Sequence, residues 1–129
     1  GQVATTVQPR FQLARHPNLK RGLHCSPTGE ARLPYLYLKP VRPEMVREYI
    51  AREWMDAFTW LASGDALHAG LFGPGTPCER AASRLGDAIL VSHGPAYLSW
   101  ADKPDTLLGR HGSLTAEEMI VPLLAARLG

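Results

Sequence analysis

Cysteine is scarce in this 129-residue chain: Cys25 and Cys78 stand alone, with no metal-ligand spacing and nothing like the density of a disulfide scaffold. Two free thiols in a reducing, cytoplasmic compartment are the expectation, although spacing alone leaves a bridge between them open. Charge of one sign is also scarce, and a formal charge of +2 gives no argument for a nucleic-acid polymer as partner. No apolar run approaches the roughly 20 residues of a membrane-spanning helix. The opening Gly1-Gln2-Val3-Ala4-Thr5-Thr6 lacks the charged start and apolar middle of a signal peptide. Repeats and low-complexity tracts are absent. What is present, 45% hydrophobic and 20% charged residues, is the composition of one ordinary soluble domain with a real core.

Periodicity outlines the elements. Pro17 opens a brief helical turn over residues 16–21. The nearby cations Arg10, Arg15, Lys20 and Arg21 have no interleaved aromatics for base stacking and read as a solvated face. Residues 26–30 form a turn, and 31–39 a strand in which tyrosines and leucines alternate, with Pro34 at its start or on an edge. Pro43 begins a helix to about Trp54, with Met45, Val46, Tyr49 and Ile50 on one face and a Glu48–Arg52 pair outside. A short strand at 58–61 precedes a helix capped by Ser63 and ended by Gly70. The glycine- and proline-rich loop 71–77 lacks the lysine and helix start of a nucleotide P-loop. Residues 88–92 are nearly continuously apolar, the pattern of a strand covered on both faces. Residues 96–100 are expected to return beside them as a hairpin. His68 and His93 have no partner at ligand spacing and read as surface or structural groups.

The stretch 107–119 carries the chemistry. His111 lies between Gly109 and Gly112, and Thr115 with Glu118 spells a capping box at the start of a helix. Such a cap would anchor the preceding loop, as a loop-borne metal ligand requires. Taken alone, the local residues favour a tight turn with a surface histidine. Pro122 should end the helix soon after Glu118 and leave 120–128 largely extended.

The wider wording shifts that balance. Gly-Arg-His-Gly-Ser-Leu-Thr-Ala-Glu-Glu-Met-Ile-Val-Pro-Leu-Leu, residues 109–124, resembles the C-terminal signature of the alkaline phosphatase superfamily, in its type I phosphodiesterase/nucleotide pyrophosphatase branch. That signature typically reads His-Gly-Gly-Leu-(Ser/Thr)-x-Glu-Glu-Met-x-Val-Pro-Leu, so Ser113 replaces its second glycine. Residues 26–37 resemble the family's Ser-Gly-Glu-x-Arg-x-x-Tyr-Leu-Tyr strand. Residues 66–75 are similar to its Glu-Ala-Leu-x-x-Gly-Leu-Phe-Gly-Pro-Gly turn, and 84–90 to its Arg-(Ile/Leu)-Gly-Asp-Leu-Ile-Leu strand. Four stretches in the family's order are far more specific than any one.

The resemblance implies an α/β parent fold, α+β in this portion alone. Residues 1–85 would be a small α+β insertion (cap-like) subdomain, and 86–129 the C-terminal part of an alkaline-phosphatase-like core. It implies hydrolysis of phosphate ester or pyrophosphate bonds at a site of two divalent metal ions, zinc or manganese, with His111 as the last metal ligand. In the family an Asp-His ligand pair stands directly before Gly-Gln-Val, the residues with which this chain starts. The upstream metal aspartate, the Asp-x-x-x-His ligands and the threonine nucleophile of the family have no counterpart here. The chain therefore reads as the C-terminal third of a longer hydrolase. No catalytic residue and no tightly bound metal are expected in it by itself. Its partners would be the remainder of the same polypeptide and a phosphodiester or nucleotide substrate. The alternatives are a non-catalytic interaction module or a phosphate-binding module built on the basic cluster.

Overall fold

An uninterrupted apolar strand is stable only where both of its faces are covered, and the sequence offers one such strand, near residue 90. The computed structural model of the chain describes residues 1–5, 11–101 and 106–127. In chain order the elements are β1 (Val3–Ala4), a 3-10 turn (Leu13–Arg15), α1 (Pro17–Gly22), β2 (Thr28–Glu30), β3 (Leu33–Leu36), α2 (Pro43–Glu53) and β4 (Phe58–Ala62). Then follow α3 (Ser63–His68), α4 (Ala81–Leu85), β5 (Ala88–Ser92), β6 (Gly109–Arg110) and α5 (Ala116–Met119). The strands form a four-stranded sheet in the order β2-β3-β5-β4 and a separate β1-β6 pair, all antiparallel. The architecture is therefore mixed α+β.

Alternation along β5 sorts the core into two layers. Ala88 and Leu90 face a cluster with Leu19 of α1, Val46 and Ile50 of α2, Trp54 and Phe58. Ile89 points the other way, toward Leu33, Ala66 of α3 and Leu85 of α4. Helices thus cover both faces, as the apolar run demands. Edge-to-face contacts of Phe11 with Trp54 and Phe58 tighten the first layer. His16 closes its rim, with Nδ1 2.6 Å from the Tyr49 hydroxyl.

Several local expectations hold. Pro17 and Pro43 each sit in the first turn of a helix, and α2 buries Val46 and Ile50 with Tyr49 half-buried. Gly70 follows α3 with a φ of +72°. Met119 ends α5, and residues 120–127 have no regular secondary structure.

Others need correction. Residues 96–100 do not pair with β5, because β3 and β4 already occupy both of its edges. Gly94 and Pro95 turn the chain away instead, so that Leu98 N–H donates to the Ala31 carbonyl and Ser99 bridges Gln12. The turn expected at 26–30 contains the edge strand β2, while Ala31 and Arg32 form the two-residue turn into β3. Beyond Leu36 the chain leaves the sheet, and 37–39 bond to 22–24. Ser63 is the first residue of α3 rather than its cap, and its hydroxyl donates to the Leu85 carbonyl at 3.0 Å. Arg52 pairs with Glu53, not Glu48. Helix α4 has too short an apolar pattern to be read in advance.

Sequence neighbours of the 85/86 division meet in this sheet: β5 is inserted between β3 and β4, so residues from both sides share one hydrogen-bonded layer.

Candidate functional site

His111 emerges from the end of β6. That strand is held by β1, with Val3 opposite Arg110 and Ala4 opposite Gly109, and Thr5 N–H donates to the Leu108 carbonyl at 2.9 Å. The Arg110 guanidinium lies 4.1 Å from the centroid of the buried Tyr97 ring, a cation–π contact that ties β6 to the 96–98 segment. The imidazole itself is exposed. It borders a cleft of about 580 Å³ whose walls include Gly1, Gln2, Leu71, Phe72, Leu114 and Met119. It also lines a smaller hollow of about 180 Å³ together with Gln2, Glu30 and Arg110.

The next two residues set the loop. Gly112 has a φ of +111°, and a Cβ there would stand 2.7 Å from the Glu30 Cβ. Backbone conformation and close packing both require glycine. Ser113 has no such requirement, since no residue other than glycine has a positive φ among those described. Its side chain is buried, and its hydroxyl donates to the Ser92 carbonyl at 2.8 Å. The serine therefore fastens the loop to the end of β5.

Glu118 holds the loop from the other side. Thr115 is the N-cap of α5 by position, but the capping box does not form as expected. Instead of accepting a helix amide, the Thr115 hydroxyl donates to Glu118 Oε2 at 2.6 Å. The Glu118 carboxylate reaches past the cap to accept from Ser113 N–H at 3.1 Å. It also accepts two bonds from Arg32, Nε to Oε1 at 2.6 Å and Nη2 to Oε2 at 2.9 Å. The Arg32 side chain is 0% exposed and that of Glu118 2%. Arg32 Nη1 donates to the carbonyls of Gly94 and Ala96 at 2.8 and 2.7 Å. Burial alone would push the Glu118 carboxyl up. The hydrogen bonds from Arg32, Thr115 and Ser113, with the Arg32 charge, outweigh it and hold the group at about 2.

Whether these side chains fit a metal can be tested on the donor set. Glu118 is the single carboxylate lining the larger cleft, and its oxygens are already occupied. Among the described residues no three His, Cys, Asp or Glu side chains converge on one point. The described residues therefore do not hold a metal by themselves, and His111 would fit one only as a single ligand. Three other histidines are engaged elsewhere: His16 Nδ1 with the Tyr49 hydroxyl, His68 Nδ1 donating to the Gly64 carbonyl at 2.7 Å, and His93 Nε2 lying 2.6 Å from the Thr59 hydroxyl, while His24 is exposed. Arg15, Lys20 and Arg21 are exposed, and Arg21 donates to Asn18. Arg10 lies outside the described residues.

Arg32 and Glu30 are the site residues that the sequence did not single out, although both fall in a stretch quoted for its resemblance. The four stretches also meet in space. Arg32 bonds Glu118; the Tyr37 hydroxyl donates to the Arg84 carbonyl; Asp87 N–H donates to the Leu36 carbonyl; and Phe72 meets the Tyr35 ring edge-on. No family profile matches the chain, and neither a curated protein nor a solved structure matches it.

Proposed function

We propose that this chain is the C-terminal portion of a metal-dependent phosphodiesterase or nucleotide pyrophosphatase of the alkaline phosphatase superfamily, in which His111 is one ligand of a two-metal site. The supporting observation is the meeting of the β1 end with the His111 loop. Gly1 and Gln2 line the same cleft as His111, and the Gly1 amino group lies 3.3 Å from the Glu118 carbonyl. A polypeptide entering at Gly1 therefore runs beside the imidazole, where an Asp-His pair ahead of Gly1 could share a metal with it. The spatial convergence of the four resembling stretches is a second support, because separate likenesses in sequence act here as one folded unit.

Two bound zinc or manganese ions would supply polarisation of a phosphoryl group and activation of a nucleophile. The contribution of this chain is to hold an imidazole nitrogen on a short, pinned loop at the edge of an open cleft. Residues 1–85 contribute the cleft walls Leu33, Leu71 and Phe72, in line with a cap-like insertion beside the site. Two exposed thiols, Cys25 and Cys78, are free in the fold and accord with a reducing, cytoplasmic compartment. No helix among the described residues is long and apolar enough to cross a membrane.

The test compares hydrolysis of bis-p-nitrophenyl phosphate, with zinc or manganese, by this chain and by a polypeptide extended ahead of Gly1. Turnover by the longer polypeptide alone, abolished by His111→Ala, is expected. A longer polypeptide that is folded and metal-loaded yet inert on this ester, on nucleotide diesters and on pyrophosphates ends the hydrolase reading. Turnover by the 129-residue chain itself means that the active site lies elsewhere.

A further inference from the structure

Among the described residues, Arg32 and Glu118 form the ion pair most withdrawn from water, with side chains 0% and 2% exposed. We infer that they are positioning residues, an ion pair whose role is to hold the 111–113 loop against the sheet and so fix where His111 is presented.

The bonding pattern carries this. A carboxylate has about four acceptor sites, and those of Glu118 are filled by Arg32 Nε, Arg32 Nη2, Ser113 N–H and the Thr115 hydroxyl. The guanidinium uses its remaining Nη1 on two carbonyls, those of Gly94 and Ala96. One ion pair thereby joins three segments: the β2–β3 turn, the turn after β5, and the loop that carries His111. Its partners lie 86 residues apart in sequence. An apolar pair of similar volume could match the stability of a buried ion pair. It could not match the direction, because bidentate guanidinium–carboxylate geometry fixes orientation as well as distance. Lysine at residue 32 would lose the fork and at least one carbonyl bond.

The functional consequence rests on the metal-ligand reading of His111, so the experiment has two arms. The first uses this chain and follows amide hydrogen exchange at Ser113 together with the His111 imidazole signals. The double variant Arg32→Met/Glu118→Met removes both charges at once and avoids a stranded ion. In it, β5 amides are expected to keep wild-type protection. The Ser113 amide should exchange about 10–100-fold faster, the factor for losing one bond to a charged acceptor, and the His111 signals should move to those of an unstructured peptide. Unchanged Ser113 exchange in the folded double variant overturns the inference. If the double variant does not fold, Thr115→Val decides. Roughly twofold or greater acceleration confined to residues 111–115 upholds the inference, since a lost hydroxyl bond is worth about that much or more; wild-type exchange there overturns it.

The second arm measures zinc affinity of the longer polypeptide, expected to fall about 10–100-fold in the double variant, as when the support of a metal ligand is removed. A loosened loop with unchanged zinc affinity sinks the ligand role of His111 and leaves the positioning pair standing. Weakened zinc binding with a loop as tight as in the wild type sinks the positioning pair and leaves the ligand.

Discussion

Gly112 and Ser113 are adjacent and make opposite demands. At residue 112 any side chain meets both a φ of +111° and the Glu30 Cβ at 2.7 Å. Gly112→Ala should therefore cost about 1–3 kcal/mol, read as a lower melting temperature, because strained backbone persists only where packing enforces it. At residue 113 the side chain is what holds the loop. Ser113→Gly removes the bond to the Ser92 carbonyl and should cost about 0.5–1.5 kcal/mol in the same assay. If Ser113→Gly instead stabilised the protein, the loop would not be pinned as described. Glu118 adds a pH signature. Its carboxyl, ordinarily near 4.5, is held at about 2 in the folded chain. Between these values the unfolded chain binds the proton and the folded chain does not, so stability falls as pH falls through this window. Urea melts from pH 6 to pH 2 should show this loss, and Glu118→Gln, already destabilised at neutral pH, should show a shallower acid slope. Residue-level reasoning from sequence reached His111 and the Thr115–Glu118 spacing, but not Arg32. Arg32 falls in a stretch read as the start of a strand, and nothing local reveals that its partner is 86 residues away.

Among the elements, β5 decides the fold, because it pairs with β3 along one edge and β4 along the other and has a helix layer on each face. Leu90 is fully buried between β4 and the α2 layer, and Leu90→Ala should cost about 2–5 kcal/mol in chemical denaturation. Its apolar continuity made it readable in advance, as did the proline starts of α1 and α2. Strand β2 was hidden because Thr28-Gly29-Glu30 is polar and exposed along its whole length, with no alternation to betray it. The hairpin expected after β5 failed for a related reason. A Gly-Pro turn between two apolar runs is a sound local signal, but pairing requires a free edge, and β4 had taken it from thirty residues upstream. Local grammar names strands; competition for edges, a property of the whole sheet, assigns their partners. Of the candidate site, the loop was legible because its glycines and helix start are contiguous, whereas its anchor is assembled from the turns at 31–32 and 94–96.

At the scale of the whole molecule, the two ends of the described chain behave differently. The N-terminal end is stitched in, through β1 against β6 and the contact of Gly1 with α5. The C-terminal end is not: Ile120, Val121, Leu123 and Leu124 follow α5 without regular structure, and the two leucines are 91% and 94% exposed. Isolated apolar side chains on a surface are ordinary, but a contiguous exposed run beside Met119 and Leu114 marks a surface that gains by being covered. In the proposed parent the rest of the same polypeptide would cover it. The 129-residue chain alone should therefore associate with itself as concentration rises, with a light-scattering mass above that of the monomer. Leu123→Lys/Leu124→Lys should return it to a monomer, with stability changed by no more than about 0.5 kcal/mol, because neither side chain is packed in the fold. A wild-type chain that stays monomeric at high concentration would show that the run carries no drive to be covered.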